Sequence, residues 1–169
     1  MEDAIAGADA VVFALWLDTI KELTARYGRL LERKVVVDPS NPLRFDDKGQ
    51  MIRTLPDDRS SGSIIAALLP ASAHYVKAFG TLTADSLASS PNREPRPAVL
   101  FYATDDDIAE ETIEQLIRTA GFEPVKAGGL GAAGRIEMPG GDLHQFGLNG
   151  ALLDLDQARA AISATAAPA

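Results

Sequence analysis

Short runs of β-branched and other apolar residues recur along this chain, and two of them end abruptly in a polar turn. Residues 35–37 (VVV) lead into 38–43 (DPSNPL), and residues 75–79 (YVKAF) lead into 80–82 (GTL). An unbroken apolar run is typical of a strand buried on both faces, in a parallel sheet covered by helices. Ligands of such sheets bind beyond the carboxyl ends of the strands. The two turns are therefore predicted to form the floor of a binding crevice.

The whole pattern predicts a sheet of about five strands with helical connections. The predicted strands lie at 11–15, 35–37, 75–79, 98–103 and 124–127. Residues at helical spacing separate them, over 20–31, 61–69, 82–88 and 105–120. Asp18 is the expected N-cap of the first helix, Gly121 is expected to end the last, and 44–61 is a long polar loop. This alternation predicts an α/β fold with a mostly parallel sheet flanked by helices.

Length and composition restrict the domain organisation and the possible ligands. A chain of 169 residues predicts a single domain over 1–156, followed by an Ala-rich tail over 157–169. The formal net charge of −8 argues against a nucleic-acid partner, since phosphate binding requires clustered Lys and Arg. The absence of cysteine excludes disulfides, thiolate metal sites and cysteine nucleophiles, and no metal site is predicted.

Neither a membrane span nor a signal peptide is predicted. No apolar stretch approaches the roughly 18 to 20 residues that a span requires. The sequence opens with the acidic MEDA, whereas a signal peptide opens with positive charge. We therefore expect a cytoplasmic protein without a membrane partner.

One glycine-rich segment imitates a phosphate-binding motif. Residues 129–134 match GxGxxG after a predicted strand, and Asp154 follows at a suitable spacing. A phosphate-binding role requires a helix directly after the motif, but 138–141 contains a proline and two glycines. A close-packed turn is therefore the preferred interpretation, with phosphate binding as the alternative. For 105–107 (DDD), capping of the next helix is preferred over a metal site.

The two histidines and one lysine of an apolar strand are interpreted as structural residues. His74 and His144 have no metal-ligand spacing and are interpreted as surface or hydrogen-bonded residues rather than as catalytic bases. Lys77 lies inside an apolar run, so its stem is expected to extend towards an edge of the sheet. A contact between Lys77 and a carboxylate or a phosphate is the alternative.

The DPSNPL turn, the VKAFGTL turn and the AGGL segment, in this order among strands and helices, are specific when taken together. They resemble the dinucleotide-binding domain of the NADP oxidoreductase family, whose best-known members reduce the deazaflavin coenzyme F-420 with NADPH. The resemblance extends over about residues 4–137 and implies a partial Rossmann-like fold. It also implies which residues surround the nicotinamide end of the cofactor: Ala14, Leu15, Trp16, Asn41, Pro42, Leu43, Ala78, Phe79, Gly80 and Thr81.

The sequence departs from the pattern of this family. Trp16 stands where the family usually has proline, and Gly80 stands where it usually has asparagine. The family begins with a strand, a GxGxxG turn and a helix that hold the diphosphate, whereas this sequence starts before the family's fourth strand. About one βαβα unit is therefore expected to be lacking, which leaves the strand at 11–15, beginning with Val11, at a sheet edge. Three explanations stay open: a piece of a longer chain, a natural truncated relative, or a second copy that completes the sheet.

The resemblance implies an NADP-dependent oxidoreductase that transfers hydride between nicotinamide and a deazaflavin- or flavin-type acceptor, with a dinucleotide as its small-molecule partner. Hydride transfer between stacked rings depends on proximity and on exclusion of water, so no residue is predicted to be catalytic. Two alternatives stay open. The chain is an inactive remnant that forms a homodimer or binds a protein through its edge strand, or it binds a smaller ligand such as a mononucleotide.

Overall fold

The computed structural model describes residues 1–164. Residues 165–169, the end of the predicted Ala-rich tail, lie outside the described residues. The strands are β1 (Ala10–Val12), β2 (Val35–Asp38), β3 (Leu43–Phe45), β4 (Met51–Arg53), β5 (His74–Ala78), β6 (Val99–Ala103) and β7 (Glu123–Gly128). The α-helices are α1 (Glu2–Ala6), α2 (Leu17–Tyr27), α3 (Ser61–Leu68), α4 (Ala84–Ser89), α5 (Asp107–Thr119) and α6 (Leu155–Ala164). The first and second 3-10 helices are Gly28–Leu31 and Leu130–Ile136.

Five strands form one sheet in the order β1-β2-β5-β6-β7. The pairs β1–β2, β2–β5 and β6–β7 are parallel, whereas β5 and β6 are antiparallel. This mostly parallel sheet flanked by helices confirms the predicted fold class. The reversal at β6 was not predictable from the apolar runs, because burial on both faces makes strands of either direction apolar throughout. The carboxyl ends of β1, β2 and β5 therefore lie at one rim, the first rim, and those of β6 and β7 lie at the opposite, second rim.

Helices cover both faces of the sheet because the side chains of each strand alternate between the faces. On one face, Val37 of β2 packs with Ile113 and Ile117 of α5. On the other face, Val36 lies in a cluster with Ile20 of α2 and with residues of α3. A third cluster joins β6 and β7 to the second 3-10 helix and α6. The buried aliphatic residues of the sheet are thus enclosed between two layers of helices.

The segment 44–61 is not the long irregular loop that its polar sequence predicts. It contains an antiparallel hairpin in which β3 pairs with β4, with Leu43 opposite Arg53. Asp46 closes the hairpin, because its Oδ1 accepts hydrogen bonds from two backbone N–H groups of the turn. The strands have three residues each and expose side chains such as Phe45, so they show no apolar pattern that would reveal them.

The first strand is shorter than the predicted 11–15. β1 ends at Val12, although the Phe13 N–H still donates to a carbonyl of β2 at 2.9 Å. The Leu15 N–H then donates to the Phe13 carbonyl at 2.7 Å, which reverses the chain direction. Residues 13–16 are therefore a turn that leads into α2 rather than the end of a strand.

The helix ends follow the predictions in part. Trp16, rather than the predicted Asp18, occupies the N-cap position of α2, and it makes no side-chain cap hydrogen bond. Asp106 caps α5, since its side chain accepts a hydrogen bond from the Ala109 N–H at 2.9 Å. Gly121 has a φ of +85° and follows the last turn of α5, as predicted.

Helix α6 includes most of the described part of the Ala-rich sequence. Its Ala158 is fully buried in the cluster that covers β6 and β7, so this stretch packs on the sheet. None of the helices in the described part of the chain is long and apolar enough to cross a membrane.

Candidate functional site

Three turns meet at the first rim of the sheet, since the adjacent strands β1, β2 and β5 all end there. We call residues 13–16 the first turn, 38–43 the second turn and 78–82 the third turn. Every residue that the sequence assigned to the nicotinamide end lies in one of these turns. The sheet topology therefore brings the predicted site residues to one rim of the molecule.

The side chain of Asn41 joins the second turn to the third. Its Nδ2 donates a hydrogen bond to the Gly80 carbonyl at 3.1 Å. Its Oδ1 accepts a hydrogen bond from the Met138 N–H at 2.8 Å. Both the nitrogen and the oxygen of the side-chain amide are therefore hydrogen-bonded. Asn41 and the VKAF turn, which are distant in sequence, are thus in direct contact. The second and third turns therefore form one unit with the segment that follows the second 3-10 helix.

The third turn has a backbone path that only a narrow set of residues accommodates. A Cβ at Gly80 would lie 2.5 Å from the Pro39 carbonyl oxygen, so the absence of a side chain permits the close approach of the two turns. Phe79 has a φ of +65°, which is uncommon for a residue with a large side chain. The ring of Phe79 packs against the cluster on the α5 face of the sheet. This packing holds the turn in its strained conformation.

A groove of about 300 Å³ lies between the first turn and the β3–β4 hairpin. Trp16 and Leu43 line it together with Arg44, Phe45 and Thr54. The other predicted residues differ in burial. Ala14, Leu15 and Trp16 are exposed, Asn41 and Phe79 are half-buried, and Pro42, Leu43, Ala78, Gly80 and Thr81 are buried. The exposed indole of Trp16 is thus the largest surface that the turns offer to a ligand.

Beneath the turns lies a buried cluster of charged and hydroxyl side chains. The Lys77 ammonium donates to Asp38 Oδ2 at 2.8 Å and to Ser61 Oγ at 2.9 Å, and it also donates to the Ser40 carbonyl. Glu137 Oε1 lies 3.5 Å from the same ammonium. Lys77 is only 1% exposed, so the expected extension to a sheet edge is wrong and the carboxylate alternative describes the structure.

Tyr75 completes the buried cluster. Its hydroxyl donates to Asp38 Oδ2 at 2.7 Å. Burial, together with the neighbouring negative charge of Asp38, raises the pKa of Tyr75 well above its usual value. The phenol therefore remains a hydrogen-bond donor across the physiological pH range.

Glu137 was missed by the sequence interpretation. Its carboxylate accepts hydrogen bonds from the Ser61 N–H at 3.0 Å, the Gly62 N–H at 2.8 Å and the Ser61 hydroxyl at 2.8 Å. These amides are the first of α3, where the helix dipole favours a negative charge. Glu137 stands far from Ser61 in the sequence, so no local spacing could have revealed this contact.

The GxGxxG segment at 129–134 does not lead from a strand into an α-helix, as a phosphate loop does. It forms most of the second 3-10 helix, and the Leu130 N–H donates to Asp105 Oδ2 at 3.0 Å. Ala133, in the same segment, is fully buried. These contacts agree with the interpretation as a close-packed turn. Within residues 1–164, no group of His, Asp or Glu side chains is arranged to hold a metal ion.

The two histidines lie at opposite rims. His144 is buried beside the third turn, and its Nδ1 accepts a hydrogen bond from the Phe146 N–H at 3.1 Å. Burial lowers the pKa of His144 to about 4, which a hydrogen bond to the Gly80 carbonyl only partly opposes. His74, near the second rim, lies 2.8 Å from Asp106 Oδ2. Both histidines are hydrogen-bonded, and neither is a free base in the groove.

Two hydroxyl groups of the turns are buried without a partner. Ser40 Oγ in the second turn and Thr81 Oγ1 in the third turn have no hydrogen bond, although each residue is more than nine-tenths buried. A buried hydroxyl without a partner is unfavourable by about 1 to 3 kcal/mol. Such groups mark positions where a polar partner would be stabilising.

Replacing Gly80 by alanine should lower the free energy of unfolding by about 1 to 3 kcal/mol, because the new Cβ would collide with the Pro39 carbonyl. Chemical denaturation measures this change. Gly131→Ala is the matched control, since no heavy atom lies within 4 Å of its Cβ position. Its stability should stay within about 0.5 kcal/mol of the wild type. Equal stabilities of Gly80→Ala and the wild type would contradict the close approach of the turns.

The stability of the protein should fall between about pH 6.5 and pH 4 through His144. Its pKa of about 4 in the folded state lies below the 6.5 of an unperturbed histidine, so in this interval the unfolded chain binds more protons. The contribution of His144 to the free energy of unfolding is therefore fully present above pH 6.5. It is lost as the pH falls from 6.5 to 4, by on the order of 3 kcal/mol. Denaturation of the wild type and of His144→Gln at pH 7.5 and pH 4 measures it. A constant difference between the two proteins would contradict the prediction.

No protein-family profile matches the sequence. Among curated proteins, Metalloreductase STEAP3 of Rattus norvegicus is 28% identical over 136 residues, which are 80% of this chain. The chain spans about a quarter of the length of this relative, 26%. The similarity therefore concerns one part of a longer protein.

Two solved structures are similar to the chain in fold and in sequence. A putative F-420-dependent NADP-reductase from Arthrobacter sp. FB24 has a TM-score of 0.68 and 26% identity, covering 78% of this chain and 60% of that chain. A hypothetical protein, SMa0349 from Sinorhizobium meliloti, has a TM-score of 0.75 and 31% identity, covering 90% of this chain and 69% of that chain. The fold is thus Rossmann-like and similar to that of an NADP oxidoreductase. On this identity and coverage, the chain belongs to the same family as protein SMa0349 of Sinorhizobium meliloti.

Proposed function

We propose that the three turns bind the nicotinamide end of NADP and that the chain is part of an NADP-dependent oxidoreductase. The observation that supports this most is the single unit formed by the second and third turns, in which Asn41 bonds Gly80 and Met138. The unit lies at the carboxyl ends of parallel strands, where Rossmann-like folds bind dinucleotides. Similarity to a putative F-420-dependent NADP-reductase and to a metalloreductase supports the same reaction class.

The residues of the turns fit a nicotinamide group. Its carboxamide both donates and accepts hydrogen bonds, and the unpartnered hydroxyls Ser40 Oγ and Thr81 Oγ1 do the same. The flat indole of Trp16 and the side chain of Leu43 line the adjacent groove and offer an apolar surface to a planar ring. When bound, NADPH supplies a hydride. The turns orient the ring and exclude water from it, and no acid or base is required of them.

We propose a deazaflavin or flavin as the acceptor. Both are planar and would stack on the nicotinamide at the groove beside Trp16. The printed description of the Arthrobacter protein as F-420-dependent supports the first of these acceptors. A cytoplasmic location stays a prediction.

We expect the described residues to contact the nicotinamide end rather than the diphosphate. A diphosphate binds to free amides at a helix N-terminus. The N-terminal amides of α3 and of the second 3-10 helix are already bonded to Glu137 and Asp105, and α5 is capped by Asp106. Helix α2 has no side-chain cap, but the carboxylate of Asp18 in its first turn opposes a bound anion. The half of the cofactor that contains nicotinamide should therefore bind without the adenosine half.

Titration with NADPH should quench the fluorescence of Trp16, the sole tryptophan of the chain. Reduced nicotinamide mononucleotide should quench it as well, whereas adenosine 2′,5′-bisphosphate should leave it unchanged. Trp16→Phe removes the signal and controls for inner-filter effects, and calorimetry on this variant measures whether binding persists. A flat titration up to roughly millimolar NADPH would contradict the proposed function. Quenching by reduced nicotinamide mononucleotide without any quenching by NADPH would instead indicate a mononucleotide-binding module.

The second candidate function is that of an interaction module, in which two copies of the chain form a homodimer by pairing their edge strands β1. β1 is the outermost strand of the sheet, and its Val12 is 53% exposed. Leu15 and Trp16, just beyond the strand, are exposed as well. An edge strand with exposed apolar side chains is a template for pairing with another chain. This edge supports the alternative of an interaction module.

Val12→Lys should shift a homodimer to the monomer, because a charged residue at the edge opposes pairing. Sedimentation analysis at several protein concentrations measures the shift. Ile108→Lys is the control, since Ile108 is 55% exposed but lies on α5, away from β1. A monomeric wild type at roughly 100 μM would contradict the homodimer.

A further inference from the structure

We infer that Glu137 is a positioning residue for the nicotinamide site, whose buried carboxylate sets the shape of the second and third turns through Lys77 and α3. This inference rests on the proposed function. It assigns a role to a residue outside the three turns. No contact between Glu137 and the cofactor is required.

The carboxylate of Glu137 accepts several hydrogen bonds. Two N-terminal amides of α3 and the Ser61 hydroxyl donate to it, and the residue is 0% exposed. A carboxylate with several hydrogen bonds at a helix N-terminus is strongly localised. Glu137 therefore fixes the start of α3 relative to the segment that follows the second 3-10 helix.

Lys77 transmits this position to the second turn. An ammonium group has three N–H donors, and those of Lys77 go to Ser61 Oγ, Asp38 Oδ2 and the Ser40 carbonyl. Asp38 Oδ1 in turn accepts from the Ser40 N–H at 2.8 Å. Both backbone groups of Ser40 are thus bonded within the cluster. Ser40 also carries one of the two buried hydroxyls without a partner.

The residue after Glu137 fixes the other half of the second turn. The Met138 N–H donates to Asn41 Oδ1, which determines the orientation of the side-chain amide. The amide nitrogen of Asn41 is then directed to the Gly80 carbonyl in the third turn. A displacement of Glu137 and Met138 would therefore move Ser40, Asn41 and Gly80 together.

The energetics of the cluster favour a positioning role over a purely stabilising one. Asp38, Lys77 and Glu137 are each at most 1% exposed, so their charges are removed from water at a large cost in free energy. Buried ion pairs can often be replaced by apolar side chains without loss of stability. Here, such a replacement would remove the fixed geometry of the hydrogen-bond donors and acceptors around Ser40.

The test compares the NADPH affinity of the wild type with that of Glu137→Gln, a variant of nearly the same shape. We expect the dissociation constant to increase about tenfold or more. Amide exchange followed by NMR should become faster at Ser40 and Met138, while the midpoint of thermal unfolding stays well above the assay temperature. A loss of stability alone does not change the affinity of a protein that remains folded.

Two controls isolate the role of Glu137. Asp142→Asn removes a carboxylate of the same segment that is bonded to Arg135 rather than to the turns, and Ile117→Val weakens the core on the α5 face. Both should bind NADPH as the wild type does. If Glu137→Gln does not fold, Ser61→Ala replaces it, because the Ser61 hydroxyl bridges Lys77 and Glu137. Its control is Ser63→Ala in the same helix, where the hydroxyl bonds only within α3.

The outcomes separate this inference from the proposed function. Unchanged NADPH affinity in Glu137→Gln, or in Ser61→Ala where that variant is used, would overturn the role of Glu137 and leave the proposed function intact. A wild type that binds neither NADPH nor reduced nicotinamide mononucleotide would overturn both. Weaker binding in all variants, controls included, would show that the affinity follows stability and would also overturn the inference.

Discussion

The ammonium group of Lys77 is buried between the carboxylates of Asp38 and Glu137, and the arrangement of the first rim depends on it. A buried charge must have partners at fixed distances, because its hydration is lost and only hydrogen bonds replace it. The partners of Lys77 come from the end of β2 and the second turn, from the start of α3, and from the segment after the second 3-10 helix. The ion cluster therefore converts the separate ends of these elements into one rigid floor.

A rigid floor suits a reaction that depends on the relative position of the reactants more than on acid or base groups of the protein. In hydride transfer the reacting groups belong to the bound molecules, and the protein contributes orientation and a dry surface. The first rim offers such a surface, with the indole of Trp16 and the apolar side of the β3–β4 hairpin next to it. The position of the hairpin is also fixed, since the Arg53 guanidinium donates hydrogen bonds to the carbonyls of Pro139 and Arg59. The segment that contains Glu137 thus contacts both the floor and one wall of the groove.

The sequence predicted those parts of the fold that local patterns determine. The apolar runs of β2, β5 and β6 could be found because they are buried on both faces, and Asp106 and Gly121 could be placed because caps are local signals. The direction of β6 could not be predicted, since burial leaves the same pattern in either direction. The β3–β4 hairpin was missed because its side chains are largely exposed. Glu137 was missed because its partners are distant in sequence and a single acidic residue after a glycine-rich segment predicts nothing.

The resemblance to a known family supplied what patterns could not, namely which residues of the rim to assign to the nicotinamide end of a cofactor. The structure then assigned different tasks to the residues of those turns. Trp16 offers surface, Asn41 links neighbouring turns, and Gly80 provides room for a carbonyl. The residues that the resemblance assigns to one site therefore combine groups with an exposed surface and groups that shape the backbone.

The reversed direction of β6 separates the loops of the molecule into two sets. The loops after β6 and β7 lie at the second rim, where His74 pairs with Asp106 and Asp105 bonds the start of the second 3-10 helix. None of these contacts involves the three turns. Lengthening of the loop after β6 should consequently leave the geometry of the first rim unchanged, whereas the chain after β7 continues to Glu137 and Met138, which contact that rim. An immobilisation handle attached to the loop after β6 would therefore leave the groove undeformed.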